Sequence, residues 1–164
     1  MSNRFIGPLL SGGLLLLAVL TPATAPAAPV KFACSPTKMA GSASVLNGST
    51  TTSQFPAFVN IPQAVVSFTQ GGVVASCVIV RFSAQTYAPA GRSIVVRAFL
   101  DNATTAVPAW IEYSGNDASD NHARSYDFVF PSVAVGAHLV CMQFSSTTTA
   151  FVGVNYHTTI VQYK

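Results

Sequence analysis

Charge is what this 164-residue chain has least of: eight Lys and Arg with five Asp and Glu make up 8% of it, where an ordinary globular domain carries about 25%. The formal net charge of +3 is too small for the basic stripe that neutralises phosphates, which excludes a nucleic-acid partner. Scarce charge also argues against disorder, because half the residues are hydrophobic and fall in patterned blocks. Ser, Thr, Asn and Gln must therefore wet most of the surface. The chain has no run of about 18 apolar residues. It also lacks apolar residues at three-to-four spacing over any ten residues, and ten Pro with eleven Gly interrupt it throughout, so helix content is expected to be low.

What is present begins with an export signal. Arg4 supplies positive charge, residues 9–20 are a twelve-residue apolar stretch, and small residues follow from 23 to 28, a pattern that is cleaved and not retained as a span. Proline after a cut disfavours cleavage before Pro26 or Pro29, leaving Ala25, Pro26 and Ala27 as the small-x-small site and Ala28 as the mature start. Cys34 is not a lipid-attachment site, since Lys31 stands where that motif needs an aliphatic residue. The expected product is secreted or periplasmic, with no membrane anchor after cleavage.

Several later blocks alternate with a period of two. Val78, Val80 and Phe82 oppose Cys77, Ile79 and Arg81, and Ile94, Val96, Ala98 and Leu100 oppose Ser93, Val95 and Arg97. Tyr126, Phe128 and Phe130 form a third apolar phase, Val140, Met142 and Phe144 a fourth, and Val152, Val154, Tyr156 and Ile160 a fifth. Weaker strands are read at 57–61, 64–69 and 110–113, giving about eight in all. Turn residues at 70–72, 88–91, 114–121 and 131–136 separate them. The pattern predicts an all-β fold, a two-layer antiparallel β-sandwich of immunoglobulin-like or jelly-roll connectivity. Residues 1–27 are the signal peptide, 28–54 a loose N-terminal segment and 55–164 the sandwich domain.

These strand blocks resemble a family of secreted bacterial domains with no established activity. The likeness lies in residues 76–83 (Ser-Cys-Val-Ile-Val-Arg-Phe-Ser), 96–101 (Val-Arg-Ala-Phe-Leu-Asp), 128–133 and 142–144, with Gly136 and His138, and covers roughly residues 55–163. Strand motifs imply a fold and carry no reaction or ligand with them.

Three cysteines survive export, and in an oxidising compartment two should pair. Cys77 and Cys141 share the phase opposite the apolar residues, so a bridge between them through the core is disfavoured. A surface cross-strand bridge stays open. We favour Cys34 with Cys77, strapping the entry segment to a strand, with Cys141 a free, partly covered thiol. His122, His138 and His157 lack the paired spacing of zinc sites, and His138 reads as a hydrogen-bonded histidine at a strand edge. No Gly-x-Ser-x-Gly motif occurs, so no catalytic residue, metal or cofactor is assigned. Asp127 shares the outward phase with Arg81 and Arg97, which suits a surface ion pair better than one of the two facing carboxylates a glycosidase needs. Residues 115–121 offer oxygen ligands without the spacing of a calcium loop.

Trp110 is the only tryptophan and shares a phase with Glu112. Burial in the sandwich is the default for Trp110; exposed, it would make with Tyr113, Asn116 and Asp117 a candidate glycan contact, an aromatic ring beside amides and carboxylates. The leading functional expectation is a non-catalytic secreted module with an unidentified protein or polysaccharide partner. A carbohydrate-binding domain and a pilin-like subunit are the alternatives, the latter from the cysteine spacing and the penultimate Tyr163.

Overall fold

The computed structural model describes residues 34–44, 48–115 and 122–164. Ten strands occur among them: β1 (Lys38–Ser44), β2 (Ser49–Thr51), β3 (Val59–Gln70), β4 (Ser76–Tyr87), β5 (Ser93–Leu100), β6 (Thr104–Thr105), β7 (Ile111–Gly115), β8 (His122–Val133), β9 (Gly136–Ser146) and β10 (Val152–Tyr163). One sheet has the order β1-β10-β4-β8, with β2 also on β10, and the other the order β3-β9-β5-β6, with β7 also on β5. Every pairing between these strands is antiparallel.

The pairing is nested. β5 pairs with β7, β4 with β8, β3 with β9 and β1 with β10, as in one long hairpin whose arms have been rolled up. Rolling brings β10 against β4 and β9 against β5, and it sends β3, β4 and β5 alternately to opposite sheets. This is the jelly-roll solution. The immunoglobulin arrangement keeps consecutive strands such as A and B in one sheet and does not describe it.

Alternation places the core where the apolar phases put it. Val78, Val80 and Phe82 of β4 and Phe128 and Phe130 of β8 are buried, facing Ile94, Val96 and Ala98 of β5 and Val140, Met142 and Phe144 of β9. Burying each of the Val, Ile, Met and Phe side chains among them contributes roughly 1.5–3 kcal/mol. The phase read for β10 holds only in part. A register shift between Val154 and His157 reverses it, so Val152, Val154, His157, Thr159 and Val161 are buried while Tyr156 is 54% exposed.

Two further expectations are corrected. The stretch read as a loose segment contains β1 and β2: residues 38–44 carry no large alternating apolar side chains, and their strand is set by pairing with β10, from Lys38 opposite Tyr163 to Ser44 opposite His157. The two weak strands at 57–61 and 64–69 are one, β3, with an irregularity between Asn60 and Val65. Pro62 lies in that irregularity, and Pro131 lies beside the one between Ser76 and Val78. β3 and β8 each lie at an edge of their sheet, where a missing N–H is tolerated. For that reason Pro131 does not end its strand, which continues to Val133.

Cys34 and Cys77 form a disulfide with a Cα–Cα distance of 5.3 Å, joining positions 43 residues apart. No helix among the described residues is long and apolar enough to cross a membrane.

Candidate functional site

On β5 the side chains that do not enter the core, Ser93, Val95, Arg97 and Phe99, form part of the outer face of the second sheet. Register adds Gln143 opposite Arg97, Asn60 opposite Gln143 and Glu112 opposite Val95. The segment before β3 lies over this face. Ser53 accepts a backbone hydrogen bond from Ser146 at 2.8 Å and the Phe55 N–H donates to the Ser146 carbonyl at 2.8 Å. That pinning carries Phe55 and Phe58 onto the sheet, their rings 5.8 Å apart and edge-to-face. Phe55 also meets Trp110 edge-to-face at 5.0 Å.

Arg97 organises the polar half. Its guanidinium lies 4.2 Å from the Phe58 ring centre and 4.6 Å from that of Phe99, close enough for cation–π attraction to both. Its Nε donates to Gln143 Oε1 at 2.7 Å, and Gln143 Nε2 donates to Asn60 Oδ1 at 2.7 Å. The relay fixes which way each amide points. The Ser93 hydroxyl donates to Glu112. Trp110 stays 48% exposed and Phe55 36%, so an exposed aromatic pair sits beside oriented amides, a guanidinium and a carboxylate.

The other residues singled out from sequence separate. Tyr113 is three positions from Trp110 and faces the opposite way, 2% exposed. Its hydroxyl accepts from the Ala84 N–H at 3.0 Å and meets the carbonyls of Phe82 and Arg124, and burial pushes its pKa up to about 12. It is a core residue and no surface contact. Asn116 and Asp117 lie outside the described residues. Phe55, Phe58 and Arg97 were not connected with Trp110 from sequence. The usable signal was the outward phase shared by Arg97 and Gln143, together with the Phe-Pro-Ala-Phe run at 55–58.

His138 and Asp101 make a second cluster. His138 Nδ1 is 2.7 Å from Asp101 Oδ2, and Nε2 is 2.9 Å from the Ala134 carbonyl. Burial opposes the charged ring, but those two acceptors hold its pKa above the ordinary value. Asp101 is likewise opposed by burial and drawn below its usual range by His138 and the Leu139 N–H. A histidine bonded to a carboxylate is two-thirds of a hydrolytic triad, but here the second nitrogen meets a backbone carbonyl in the place where a triad has its nucleophile. The pair fastens two turns.

Remaining reactive groups are also engaged. Asp127 bonds Arg81 through two oxygens at 2.8 Å each, the surface ion pair expected from their shared phase. Arg97, read with them, belongs to the other sheet. Cys141 is free and buried; burial raises its pKa, against the pull of Arg97. His157 Nε2 meets the Pro62 carbonyl at 2.9 Å while Nδ1 is buried without a partner. Among the described residues no three His, Cys, Asp or Glu side chains gather into a metal-binding group, and the three described carboxylates sit in separate places, each with its own partner.

No family model and no curated protein matches the chain. It is similar in structure to a chain in the structure of infectious bursal disease virus, Gt strain, with a TM-score of 0.50 and 10% identity over 87% of this chain and 36% of that one. The VP2 subviral particle of the same virus gives a TM-score of 0.48 and 6% identity over 77% and 33%. The chain thus spans about a third of the length of these structures. Identities this low concern the fold alone.

Proposed function

We propose that this chain is an exported, non-catalytic binding module that holds its partner on the outer face of the second sheet, at Trp110 and Phe55. One observation carries the reading: an exposed aromatic pair is mounted on backbone pinned by Ser146 and flanked by a completed hydrogen-bond relay. Large side chains exposed on a rigid support lose little freedom on binding, and exposed aromatics with arginine are the residue types that dominate binding hot spots. Export is supported by the cleavable leader pattern of residues 1–27 and by the disulfide, a bond that persists in oxidising compartments. The groups suited to acid–base work are tied into struts, which favours binding over turnover.

The pilin-like alternative is not favoured. Pilins leave a sheet short of its own last strand, whereas β10 here fills its sheet between β1 and β4. The test is a pull-down from the parent cell envelope and culture medium with the processed protein, comparing protein and polysaccharide fractions for wild type and Trp110→Ala. Capture that depends on Trp110 is the expected result. Equal capture by both proteins, or capture by neither, overturns the reading.

A further inference from the structure

We infer that the partner held at this face is a neutral carbohydrate chain, an inference that rests on the binding-face reading above. A sugar ring offers a flat C–H surface edged by hydroxyls that both donate and accept. The face answers each part. Trp110, roughly half exposed, and Phe55 beside it supply apolar ring surface, and an exposed ring that keeps one side open can cover the C–H side of a sugar. Around them the polar groups already have their orientation. Asn60 is exposed, and its oxygen accepts from Gln143, which leaves its amide N–H groups to donate. Glu112 is exposed with one carboxylate oxygen bonded by Ser93, which leaves the other to accept. A preset donor on β3 and a preset acceptor on β7, on the same outer face as the rings, suit hydroxyls better than a uniformly charged ligand.

Charge narrows the class. Among the described residues Arg97 is the cation of this cluster and Glu112 its anion, so they give the face no excess of either sign. An anionic polysaccharide or a lipid surface would need a cluster of cations. A stable protein interface buries about 800 Å² on each partner around a packed core of hot spots, and two exposed rings bordered by hydrogen-bonded polar groups are a small anchor for that. A narrow polymer that repeats the same ring-and-hydroxyl unit fits the dimensions better.

Because the sequence contains a single Trp, its fluorescence reports on this site alone. The experiment titrates the processed protein with soluble neutral polysaccharides (a β-glucan, a xylan, a mannan) and with polygalacturonate as the anionic control, at low and high salt. Affinity electrophoresis in the same polymers compares wild type with Trp110→Ala, Trp110→Phe and Tyr126→Ala. The last removes an aromatic that is 40% exposed on the other sheet. The expected result is a salt-independent fluorescence shift with at least one neutral polymer. Affinity should fall about tenfold or more in Trp110→Ala, partly recover in Trp110→Phe and stay unchanged in Tyr126→Ala. The carbohydrate inference is overturned if no neutral polymer shifts the fluorescence, if binding survives Trp110→Ala, or if only polygalacturonate binds and salt abolishes it. Should the pull-down then still recover a protein in a Trp110-dependent way, the binding face stands and its ligand class is wrong; should it recover nothing, both fall.

Discussion

One hydroxyl group joins the two layers at Tyr113. The residue belongs to β7 in the second sheet, yet its oxygen accepts from the Ala84 N–H of β4 and faces carbonyls of β4 and β8 in the first. Tyr113→Phe would keep the ring in place and strand the Ala84 N–H in the core, where an unpaired donor costs about 1–3 kcal/mol. We predict a loss of that size, read as a lower urea midpoint with an unchanged denaturant slope. Asp101 makes a different prediction, about pH. His138 has a raised folded pKa, so its contribution is complete below 6.5 and fades as pH climbs through the folded value; Asp101 is depressed, so its contribution is complete above 3.8 and fades on acidification. The pair therefore supports the fold most between those limits. Asp101 has a positive φ of 51°, a conformation asparagine also tolerates, so Asp101→Asn removes the charge and keeps the turn. The melting temperature of the variant should fall furthest below wild type near pH 5 and approach it above pH 8. A constant difference at every pH would refute the assignment.

Among the elements, those that announced themselves in sequence are the ones whose side chains meet the core on one face only. β4 and β8 were legible because every second side chain enters the core, whether the strand lies inside its sheet, as β4 does, or at an edge, as β8 does. β1 was illegible because it puts no large side chain into the core and is held by backbone pairing to β10, and backbone hydrogen bonds leave no trace in residue type. Bulges erased another part. Once β10 skips at Val154, the positions that sequence assigned to the interior, Tyr156 and Ile160, turn outward or to the margin, and His157 and Val161 take their place. The site followed the same division. Trp110 and the outward phase of Arg97 could be read locally, whereas Phe55 arrives through a bridge from Gln54 to Ser146, about ninety positions away in the chain. The disulfide adds an element-level test. It fastens the chain just before β1 to the start of β4, and closing a loop of 43 residues removes unfolded-chain entropy equivalent to about 4 kcal/mol. The double variant Cys34→Ser, Cys77→Ser should unfold at a markedly lower urea concentration than the oxidised wild type and match it after reduction. If reduction of the wild type leaves the midpoint where it was, the strap contributes nothing.

At the scale of the whole molecule, two histidines with opposite environments set how the sandwich answers to acid. The charged form of His138 is favoured by Asp101 and the Ala134 carbonyl, whereas His157 is buried between the sheets, its ring 5.9 Å from Phe82 and its Nε2 on the Pro62 carbonyl of the opposite layer. Burial lowers the His157 pKa more than the Pro62 contact raises it. For such a group the unfolded chain binds the proton first. As pH drops below 6.5 the unfolded state is favoured, until the folded value is reached and the ring ionises inside the core. The two contributions run in opposite directions on either side of 6.5, that of His138 growing as pH falls toward it and that of His157 being lost below it, so their sum should pass through a maximum near that pH. Substitution separates them. His157→Asn keeps an amide that can donate to Pro62 and cannot titrate, so its stability, whatever its absolute level, should decline less than wild type between pH 7 and 5. Asp101→Asn should steepen the same decline, because it removes the contribution that grows on acidification. Chemical denaturation at half-unit steps of pH measures both slopes, and parallel curves for wild type and His157→Asn would mean that the buried imidazole does not control the acid limb.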